Sequence, residues 1–358
     1  MANQLSMHRK FGLDFIRAAS IWLVVLQHLR INPFGLKIGA IGVEIFFVLS
    51  GFLIGQILFK EFSKELSFKS IRVFWVRRWF RILPLYYLIL LLKFIFIDHS
   101  IGVKILYYVF FLQNNFYGIN YLSVSWSLVI EEWFYLFAPF FVLIAMKLAG
   151  DKKNLLLFFF IAFIVVENIA RFAYVKMYNV PYDGVNGNVL LRFDSLFAGM
   201  LMAFVKLNYK TVFEKMSGEI GLVIGLILFA GYCFYLSRAI LPVYHLNDYV
   251  FPRTIGKILL SLFICLWIPF ADKIQLSENL KGIKKAAAAF ITWTSLLTYS
   301  IYLVHTFVLE RLIKGIPVYS SAWLMRSALS VLIIYICAFV LYRFFEKPVM
   351  NLREKFSS

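Results

Sequence analysis

The sequence is poor in charge, in cysteine and in proline. Charged residues make up only 16% of the 358 residues, and the chain has 3 cysteines and 9 prolines. Soluble domains carry about a quarter charged residues, so an ordinary soluble enzyme or binding module is excluded. Cys233, Cys265 and Cys337 each stand alone within an apolar run, without the paired spacing of a disulfide framework or a metal site. We therefore expect neither a disulfide nor a bound metal.

Apolar and aromatic side chains are in excess. Hydrophobic residues make up 62% of the chain and aromatic residues 19%, with 40 Phe and 20 Tyr. Apolar runs of membrane-spanning length recur along the chain. The predicted spans are 13–29, 38–59, 83–98, 126–148, 155–175, 190–206, 219–236, 255–272, 290–313 and 323–345. The sequence thus predicts an all-α, polytopic integral membrane protein with ten transmembrane helices.

A further apolar stretch, 101–112, is short and is interrupted by Lys104. If the N-terminus is cytoplasmic and this stretch does not cross, the cytoplasmic segments carry roughly twice as many Lys and Arg as the outer ones, in line with the positive-inside rule. If it crossed, that bias would nearly vanish. We therefore predict an interfacial or re-entrant helix near 101–112, with both termini in the cytoplasm and the protein in the cell inner membrane.

The same charge distribution accounts for the net charge of +18, so we expect contact with membrane lipid and no nucleic-acid partner. The loops between spans are short and contain no polar linker. One transmembrane domain over residues 1–358, with no appended soluble domain, is therefore expected. The sequence leaves homo-oligomer formation open.

The first span carries three ionisable residues, which are costly within a membrane and indicate a functional site. Arg17 and His28 are eleven residues apart, close to three full turns at about 100° per residue. Asp14 precedes Arg17 by one turn, so all three lie on one stripe, as a lined pathway requires. The alternative is an Asp14–Arg17 ion pair at one rim of the membrane, with His28 snorkelling at the other.

Glu44 lies near the outer end of the second span. In an antiparallel hairpin of the first two spans it would be level with His28. A carboxylate at that level would orient the imidazole of a general base, and the alternative is a charge at the membrane rim. Ser50 stands beside Gly51 and close to Gly55, a pattern that favours close helix packing. Ser50 is also a candidate for steadying an oxyanion.

Arg77, Arg78 and Arg81 alternate with Trp75 and Trp79 where the chain enters the third span. Such clusters bind anionic lipid headgroups. Guanidinium groups and aromatic rings equally suit the phosphates and the base of a nucleotide. The sequence leaves both readings open.

The fourth span begins with Trp126, and Glu131 and Glu132 follow within about two turns. Adjacent carboxylates point to different helix faces, so at most one of them shares a site with His28. A structural ion pair between Glu131 and Arg192, at the start of the sixth span, is the alternative.

Two further sets of polar residues within the spans are interpreted as structural. In the ninth span, a helix–helix hydrogen bond is favoured for His305 over a reactive role. In the fifth span, Glu167 and Arg171 stand four residues apart, the spacing of an ion pair along one helix.

These residues occur in an order that resembles the membrane-bound acyltransferase 3 family, whose members O-acylate extracytoplasmic glycans and some small molecules. The matching pieces are Asp14 and Arg17 with His28, GVEIFFVLSGFLIG at 42–55, RRWFRILPLYY at 77–87, WSLVIEEWFY at 126–135, RFDSLFAG at 192–199, YSIYLVH at 299–305 and FEKP at 345–348. Together they cover nearly the whole chain in one register.

The resemblance implies roles for several of these positions. Arg17 and His28 look like the essential arginine–histidine motif of the family, with the histidine at the reaction centre. Arg78 and Arg81 match its RxxR motif, which handles the acyl donor on the cytoplasmic side. Glu131 matches the first Glu of the WSL stretch.

The chain departs from the family at two positions: Glu44 stands where Asp is common, and Phe15 where Gly is common. The first departure changes the reach of that carboxylate.

We therefore predict an O-acyltransferase that moves an acetyl group from cytoplasmic acetyl-CoA to a sugar hydroxyl of a cell-surface polysaccharide. The expected acceptor is a glycan or lipid-linked sugar, with lipopolysaccharide O-antigen first. The predicted catalytic residues are His28 as general base with Glu44, Glu131 and Arg17. The predicted donor-binding residues are Asp14, Arg77, Arg78 and Arg81, and the predicted acceptor-binding residues are Ser50, Trp126 and Arg192.

The main alternative is a transporter or flippase of lipid-linked sugars, which intramembrane Arg, His and Glu would also suit. Transporters commonly show inverted repeats and paired broken helices, and the sequence shows neither. A third class, a scaffold of a glycan-assembly complex, leaves the Arg17–His28 spacing unexplained.

Overall fold

The computed structural model describes residues 10–31, 36–116, 121–239, 246–277, 280–353 and 356. Over these residues the chain is helical, with no β-strand. The helices in the first half are α1 (Phe11–His28), α2 (Ile38–Phe62), α3 (Phe68–Phe96), α4 (Ile105–Val109), α5 (Gln113–Phe116), α6 (Ser125–Ala149) and α7 (Lys153–Tyr178). Those in the second half are α8 (Tyr182–Gly187), α9 (Asp194–Asn208), α10 (Lys210–Met216), α11 (Glu219–Ala239), α12 (Val250–Arg253), α13 (Ile255–Cys265), α14 (Ile268–Lys273), α15 (Gly282–Leu312), α16 (Ser321–Leu341) and α17 (Lys347–Leu352).

The long helices make the chain a multi-pass membrane protein. Within the described residues, eight helical segments are long and apolar enough to span a bilayer, or nine if the pair α9 and α10, bent by 117°, forms one span. The two other predicted spans are α1, whose apolar character is lowered by charge at Asp14 and Arg17, and α9, which is only 15 residues long. The count of ten therefore stays a prediction.

Helix α2 forms the centre of the bundle, and α11 and α16 lie at its edge. In the most apolar part of each helix, 78% of the residues of α2 are buried, against 17% for α11 and 22% for the segment that contains α16. Apolar side chains that the protein does not cover have lipid as their natural solvent. The edge helices therefore face the membrane, and α2 is enclosed by protein.

Glycines allow α2 and α9 to pack with their backbones in contact. A Cβ atom on Gly51 would lie 1.9 Å from the carbonyl oxygen of Leu196, and one on Gly199 would lie 2.0 Å from that of Val48. Small residues are the usual means of such close approach between membrane helices. The predicted packing role of the glycines near Ser50 is thus seen in the structure.

The stretch 101–112 forms only a helical turn at 102–104 and the five-residue helix α4. Tyr86 and Tyr87 of α3 hold it by donating hydrogen bonds to the carbonyl oxygens of Tyr108 and Val109, at 3.0 and 2.9 Å. It is too short to cross a bilayer, in agreement with the predicted topology. Consequently α6 begins at the same end of the bundle at which α1 ends and α2 begins, which we call the His28 end.

Several boundaries differ from the predicted ones. Helix α3 begins at Phe68 rather than near 83, because its first turns carry the arginines and are too polar to be recognised as a span. The predicted span 190–206 begins as a helix only at Asp194, so Arg192 precedes α9. The predicted span 255–272 is two helices, α13 and α14, with Pro269 at the start of the second.

Candidate active site

A cavity of about 140 Å³ opens among α1, α2, α3, α6 and α15, and we call it the Arg78 cavity. Its charged lining residues are Arg17, Arg78, Arg81, Glu131 and Glu346. Hydrogen bonds fix its walls to one another: Trp75 Nε1 donates to the carbonyl oxygen of Tyr135 at 2.9 Å, and Tyr299 Oη donates to that of Ile82 at 2.8 Å. The sequence motifs on these helices therefore meet at one place.

Helix α3 brings two of its three arginines to the cavity. Arg78 and Arg81 lie one turn apart on one face, and Arg81 is exposed whereas Arg78 is partly buried, with its guanidinium carbon 5.6 Å from the centroid of the Tyr135 ring. Arg77 is rotated by about 100° from Arg78 and pairs instead with Glu61 at 3.2 Å, outside the cavity. Arg77 therefore does not share the cavity with the other two arginines, and its predicted contact with the donor stays a prediction.

Glu131 also lines the cavity. Tyr135 Oη donates to its carboxylate at 2.9 Å, and Ser50 Oγ lies 3.0 Å from the same hydroxyl. Glu132 points away and is buried with no bond to Oε1 within the described residues, as expected for adjacent residues on a helix. Glu131 thus belongs to a network with Ser50 and Tyr135, and the alternative considered from the sequence, an ion pair with Arg192, does not form because Arg192 is bound to Glu44.

Arg17 is held at the cavity wall by a small polar network. Its Nη1 donates to Asp14 at 3.2 Å and to Ser295 Oγ at 3.0 Å, and Ser295 Oγ donates to Asp14 at 2.7 Å. Asp14 is buried behind Arg17 and does not line the cavity. Asp14 thus contacts Arg17 and Ser295, and the sequence-based prediction that it binds the donor stays a prediction.

His28 is the last residue of α1, and its ring is exposed. Its Nδ1 lies 2.9 Å from the carbonyl oxygen of Val24. A carbonyl oxygen only accepts hydrogen bonds, so Nδ1 of the neutral ring carries the proton and Nε2 keeps a lone pair. The ring is therefore oriented as a proton acceptor by the backbone, and neither Glu44 nor Glu131 is its hydrogen-bond partner.

His305 faces His28 from α15, and the two ring centroids are 4.7 Å apart, edge to face. His305 is fully buried, with Nδ1 2.7 Å from the carbonyl oxygen of Tyr302, while Nε2 has no hydrogen-bond partner in the described part of the chain. The Tyr302 ring lies 5.7 Å from that of His305 and lines the Arg78 cavity. Tyr302 and His305 thus connect the cavity with His28, which does not line it.

His305 and Glu346 are the residues of this site that sequence reasoning missed. His305 was interpreted as structural, although YSIYLVH was among the matching motifs. Glu346 ends a π-helical turn at 342–346 and accepts a hydrogen bond from Ser300 Oγ at 2.8 Å. Such turns occur often at functional sites. The sequence signal for Glu346 itself was the FEKP motif.

Glu44 lies in a second cavity, of about 40 Å³, which we call the Arg192 cavity. Its carboxylate accepts hydrogen bonds from Arg192 Nη2 and Ser261 Oγ, both at 2.6 Å, and from Ser195 Oγ. The prediction that Glu44 orients His28 is wrong, because the carboxylate is fully engaged by α9 and α13. Trp126 and Arg192 line this cavity and Ser50 lines the other, so the three predicted acceptor-binding residues are divided between two cavities.

Helix α7 holds the start of α9, and so the position of Arg192. Arg171 pairs with Asp194 at 2.7 Å with both side chains fully buried, and it donates to the carbonyl oxygen of Leu191 at 3.0 Å. Glu167 accepts from the backbone N–H of Phe193 at 2.6 Å. These two residues of α7 are structural, as the sequence indicated, but they act across helices.

Known proteins resemble this chain over most of its length. The family model for an acyltransferase domain, acyltransferase 3, matches residues 10–343. A peptidoglycan O-acetyltransferase of Listeria monocytogenes is 27% identical over 367 residues, which cover 94% of this chain and 55% of that protein. A provisionally assigned peptidoglycan O-acetyltransferase of Bacillus subtilis is 26% identical over 369 residues, covering 94% of this chain and 54% of the relative.

A shorter match is to a provisionally assigned O-acetyltransferase of Staphylococcus aureus. It is 31% identical over 215 residues, which cover 54% of this chain and 34% of that protein. The chain thus spans about half the length, or less, of these relatives. No solved structure is significantly similar to it. Since the family model covers almost the whole chain, the chain belongs to the membrane-bound acyltransferase 3 family.

Proposed function

We propose that the chain transfers an acetyl group from cytoplasmic acetyl-CoA to a sugar hydroxyl of a cell-envelope polysaccharide. The observation that carries this proposal is the Arg78 cavity, which extends from the guanidinium groups of α3 to Tyr302. The rings of Tyr302 and His305 lie in contact between this cavity and His28. In this proposal the protein lies in the cell inner membrane with both termini in the cytoplasm. The His28 end then faces away from the cytoplasm.

The shape and charge of the cavity suit a coenzyme with a phosphorylated head and a thin arm. A volume of about 140 Å³ holds roughly ten ordered waters, which is enough for an extended chain and too little for a nucleotide. Arg81 at the exposed edge and Arg78 deeper in present guanidinium groups, which bind phosphate oxygens bidentately. The phosphates would therefore stay at the mouth, and the pantetheine arm would carry the thioester inward past Arg17.

His28 is the proposed general base. Its Nε2 lone pair takes the proton of the acceptor hydroxyl as the hydroxyl oxygen attacks the thioester carbonyl. A carbon–oxygen bond forms, the carbon–sulfur bond breaks, and the departing thiolate takes the proton back from the imidazolium. The products are the O-acetyl ester and free coenzyme thiol.

The acceptor is proposed to be a polysaccharide of the cell envelope, supplied as a glycan or a lipid-linked sugar. Lipopolysaccharide O-antigen was the first expectation from the sequence, and two relatives are named for peptidoglycan. Those names favour peptidoglycan as the first acceptor to test. Mass spectrometry of both glycans, from cells with and without the chain, distinguishes the two.

The donor site is tested by comparing two arginines of α3 that are adjacent in sequence. Membranes are supplied with acetyl-CoA labelled in the acetyl group, and label in the glycan is measured. We expect Arg78→Ala to abolish labelling and Arg77→Ala, outside the cavity, to leave most of it. His28→Ala should reduce labelling by about 100-fold or more, as expected for loss of a general base.

Normal labelling by a correctly inserted His28→Ala protein would refute the catalytic assignment. Equal losses from Arg77→Ala and Arg78→Ala would refute the proposed donor site. Labelling that is absent with the wild-type chain would favour a transporter or flippase.

A further inference from the structure

The Arg192 cavity carries more positive than negative charge. Three cations line it, Lys37, Arg192 and Lys257, together with the single carboxylate of Glu44. Lys37 is bound to Asp183 at the surface, at 2.9 Å. Arg192 and Lys257 are buried, with 1% and 4% of their surface exposed. The inner lining of the cavity therefore has two buried basic side chains and one buried carboxylate. A second buried carboxylate nearby, that of Asp194, is paired with Arg171.

Glu44 does not neutralise both cations. One of its oxygens is bound to Arg192 Nη2, and the other accepts from the hydroxyls of Ser195 and Ser261. Lys257 instead bonds Asn186 Oδ1 and lies 3.9 Å from the centroid of the Tyr182 ring. An amide and an aromatic ring orient an ammonium group without cancelling its charge.

Arg192 also retains unused hydrogen-bond donors. Its Nε and Nη1 are buried and have no hydrogen-bond partner among the described residues. A buried donor that is left unsatisfied costs free energy, and a buried charge without a counter-ion costs more. An oxygen-rich anion in this cavity would satisfy Arg192 and Lys257 together.

Three helices begin around the same cavity. Lys37 precedes α2, Trp126 is the second residue of α6, and Lys257 is the third residue of α13. The first turn of a helix carries partial positive charge, which favours anions. The partial charges of these helix starts and the charges of the two buried cations thus all favour the binding of an anion.

The volume of the cavity limits what it can hold. About 40 Å³ corresponds to roughly three ordered waters, the size of one carboxylate or phosphate group and much less than a sugar ring. The cavity also lies at the His28 end of the bundle, because Gln27 Oε1 accepts a hydrogen bond from the backbone N–H of Gly39 at 3.1 Å and the next residue, Ala40, lines the cavity.

We propose that the Arg192 cavity binds an acidic group of the acceptor, a carboxylate or phosphate, and so selects acidic glycans. This inference rests on the proposed function, since it assigns the anion to the acceptor of the acetyl group. Arg192 and Lys257 hold the acidic group while a hydroxyl elsewhere on the same glycan reaches His28.

Binding is measured directly on the full chain in nanodiscs of zwitterionic lipid. The probes are glucuronate, its neutral analogue glucuronamide, and glucose 1-phosphate, and the readout is the dissociation constant from ligand-dependent thermal unfolding. For the wild type we expect at least one acidic probe to bind at least about tenfold more tightly than glucuronamide, because only an acidic probe forms charge-assisted hydrogen bonds with Arg192 and Lys257. Tight binding of glucuronate but not of glucose 1-phosphate would identify the acidic group as a carboxylate. The reverse result would identify it as a phosphate.

Two substitutions of lysine serve as matched variants. Lys257→Met should abolish the preference for the acidic probe. Lys284→Met removes an exposed lysine at the opposite end of the bundle, and this variant should keep the preference of the wild type. Lys257→Arg keeps the charge and should retain binding if the Met variant fails to fold. Equal binding of glucuronamide, or an unchanged preference in Lys257→Met, would overturn the proposal.

Lipid headgroups are distinguished by repeating the measurement with phosphatidylglycerol in the nanodisc. Loss of probe binding in these nanodiscs would indicate that a lipid headgroup occupies the cavity, and it would overturn the assignment to the acceptor. His28→Ala should bind the acidic probe as the wild type does while losing acetyl transfer. Binding without any transfer in the wild type would refute the proposed function, and transfer without charge preference would refute only this inference.

Discussion

The edge-to-face contact between His28 and His305 places two imidazoles where sequence reasoning expected one. Both rings direct Nδ1 to a backbone carbonyl of their own helix. His305 is buried and its Nε2 has no hydrogen-bond partner within the described residues, so its ring supports His28 chiefly by contact. A change at His305 should therefore disturb the orientation of His28 without touching the donor site.

We predict that His305→Leu lowers the kcat of acetyl transfer by about tenfold or more, because loss of an oriented base costs catalytic power, and leaves the KM for acetyl-CoA unchanged. Steady-state kinetics on purified protein measures both constants. His305→Asn restores a donor toward the carbonyl of Tyr302 and should recover part of the rate. A raised KM with an unchanged kcat would show that His305 belongs to donor binding instead.

The sequence predicted individual residues of the site better than their partners. The stripe of Asp14, Arg17 and His28 follows from helical periodicity alone, but of the three residues only Arg17 lines the Arg78 cavity. Glu44 was assigned to His28 because the two lie at the same level of a hairpin. Its actual partner, Arg192, is 148 residues away, and such a choice depends on packing between helices that no local pattern specifies.

At the level of helices, the close packing of α2 against α9 depends on glycines, which have no side chain. Gly51 and Gly199 each face a backbone carbonyl of the other helix, at 1.9 and 2.0 Å from the position that a Cβ would take. Gly231 in α11 has no atom within 4 Å of that position. The same substitution should therefore have opposite effects at the two kinds of site.

Gly199→Ala is expected to destabilise the protein by about 1–3 kcal/mol or more, because the added methyl group forces α2 and α9 apart. Gly231→Ala should be neutral or stabilising by up to about 1 kcal/mol, because alanine favours the helix. Thermal unfolding in a mild detergent compares the two with the wild type. A Gly199→Ala protein that unfolds at the wild-type temperature would contradict this description of the interface.

Helix boundaries were predicted well where apolar character was continuous and poorly where charge entered a helix. The first turns of α3 carry Arg77, Arg78 and Arg81, so only the part from 83 onward resembled a span. Helix α3 begins at Phe68, and its periodicity places Arg77 about 40° from Arg81 and about 100° from Arg78. The ion pair with Glu61, rather than periodicity alone, keeps Arg77 outside the cavity. The π-helical turn before Glu346 has no simple sequence signature, and neither its position nor the cavity volumes could have been predicted.

At the scale of the whole molecule, the ring of Phe47 contacts residues of both cavities. Phe47 is buried and lines the Arg78 cavity. The guanidinium of Arg192 lies 5.7 Å from the centroid of its ring, and the ring of Trp126 lies 6.3 Å away. Because Arg192 and Trp126 line the other cavity, Phe47 is the partition between donor and acceptor regions in the proposed function.

We predict that Phe47→Ala joins the two cavities and admits water to the thioester. Release of coenzyme thiol in the absence of any glycan should rise severalfold, and the ratio of transfer to hydrolysis should fall, because an enclosed site protects a reactive group from water. Thiol release is followed with a chromogenic disulfide. Phe47→Leu, which keeps most of the volume, should stay near the wild type, and an equal rise in both variants would argue against a partition.

The network of Arg17, Asp14 and Ser295 joins α1 to α15 across 278 residues, and Glu346 reaches the same cavity from beyond α16. A polypeptide that stops before Glu346 therefore lacks part of the wall of this cavity. Under the proposed function, such a truncated chain could be inserted in the membrane and still be unable to use the acyl donor.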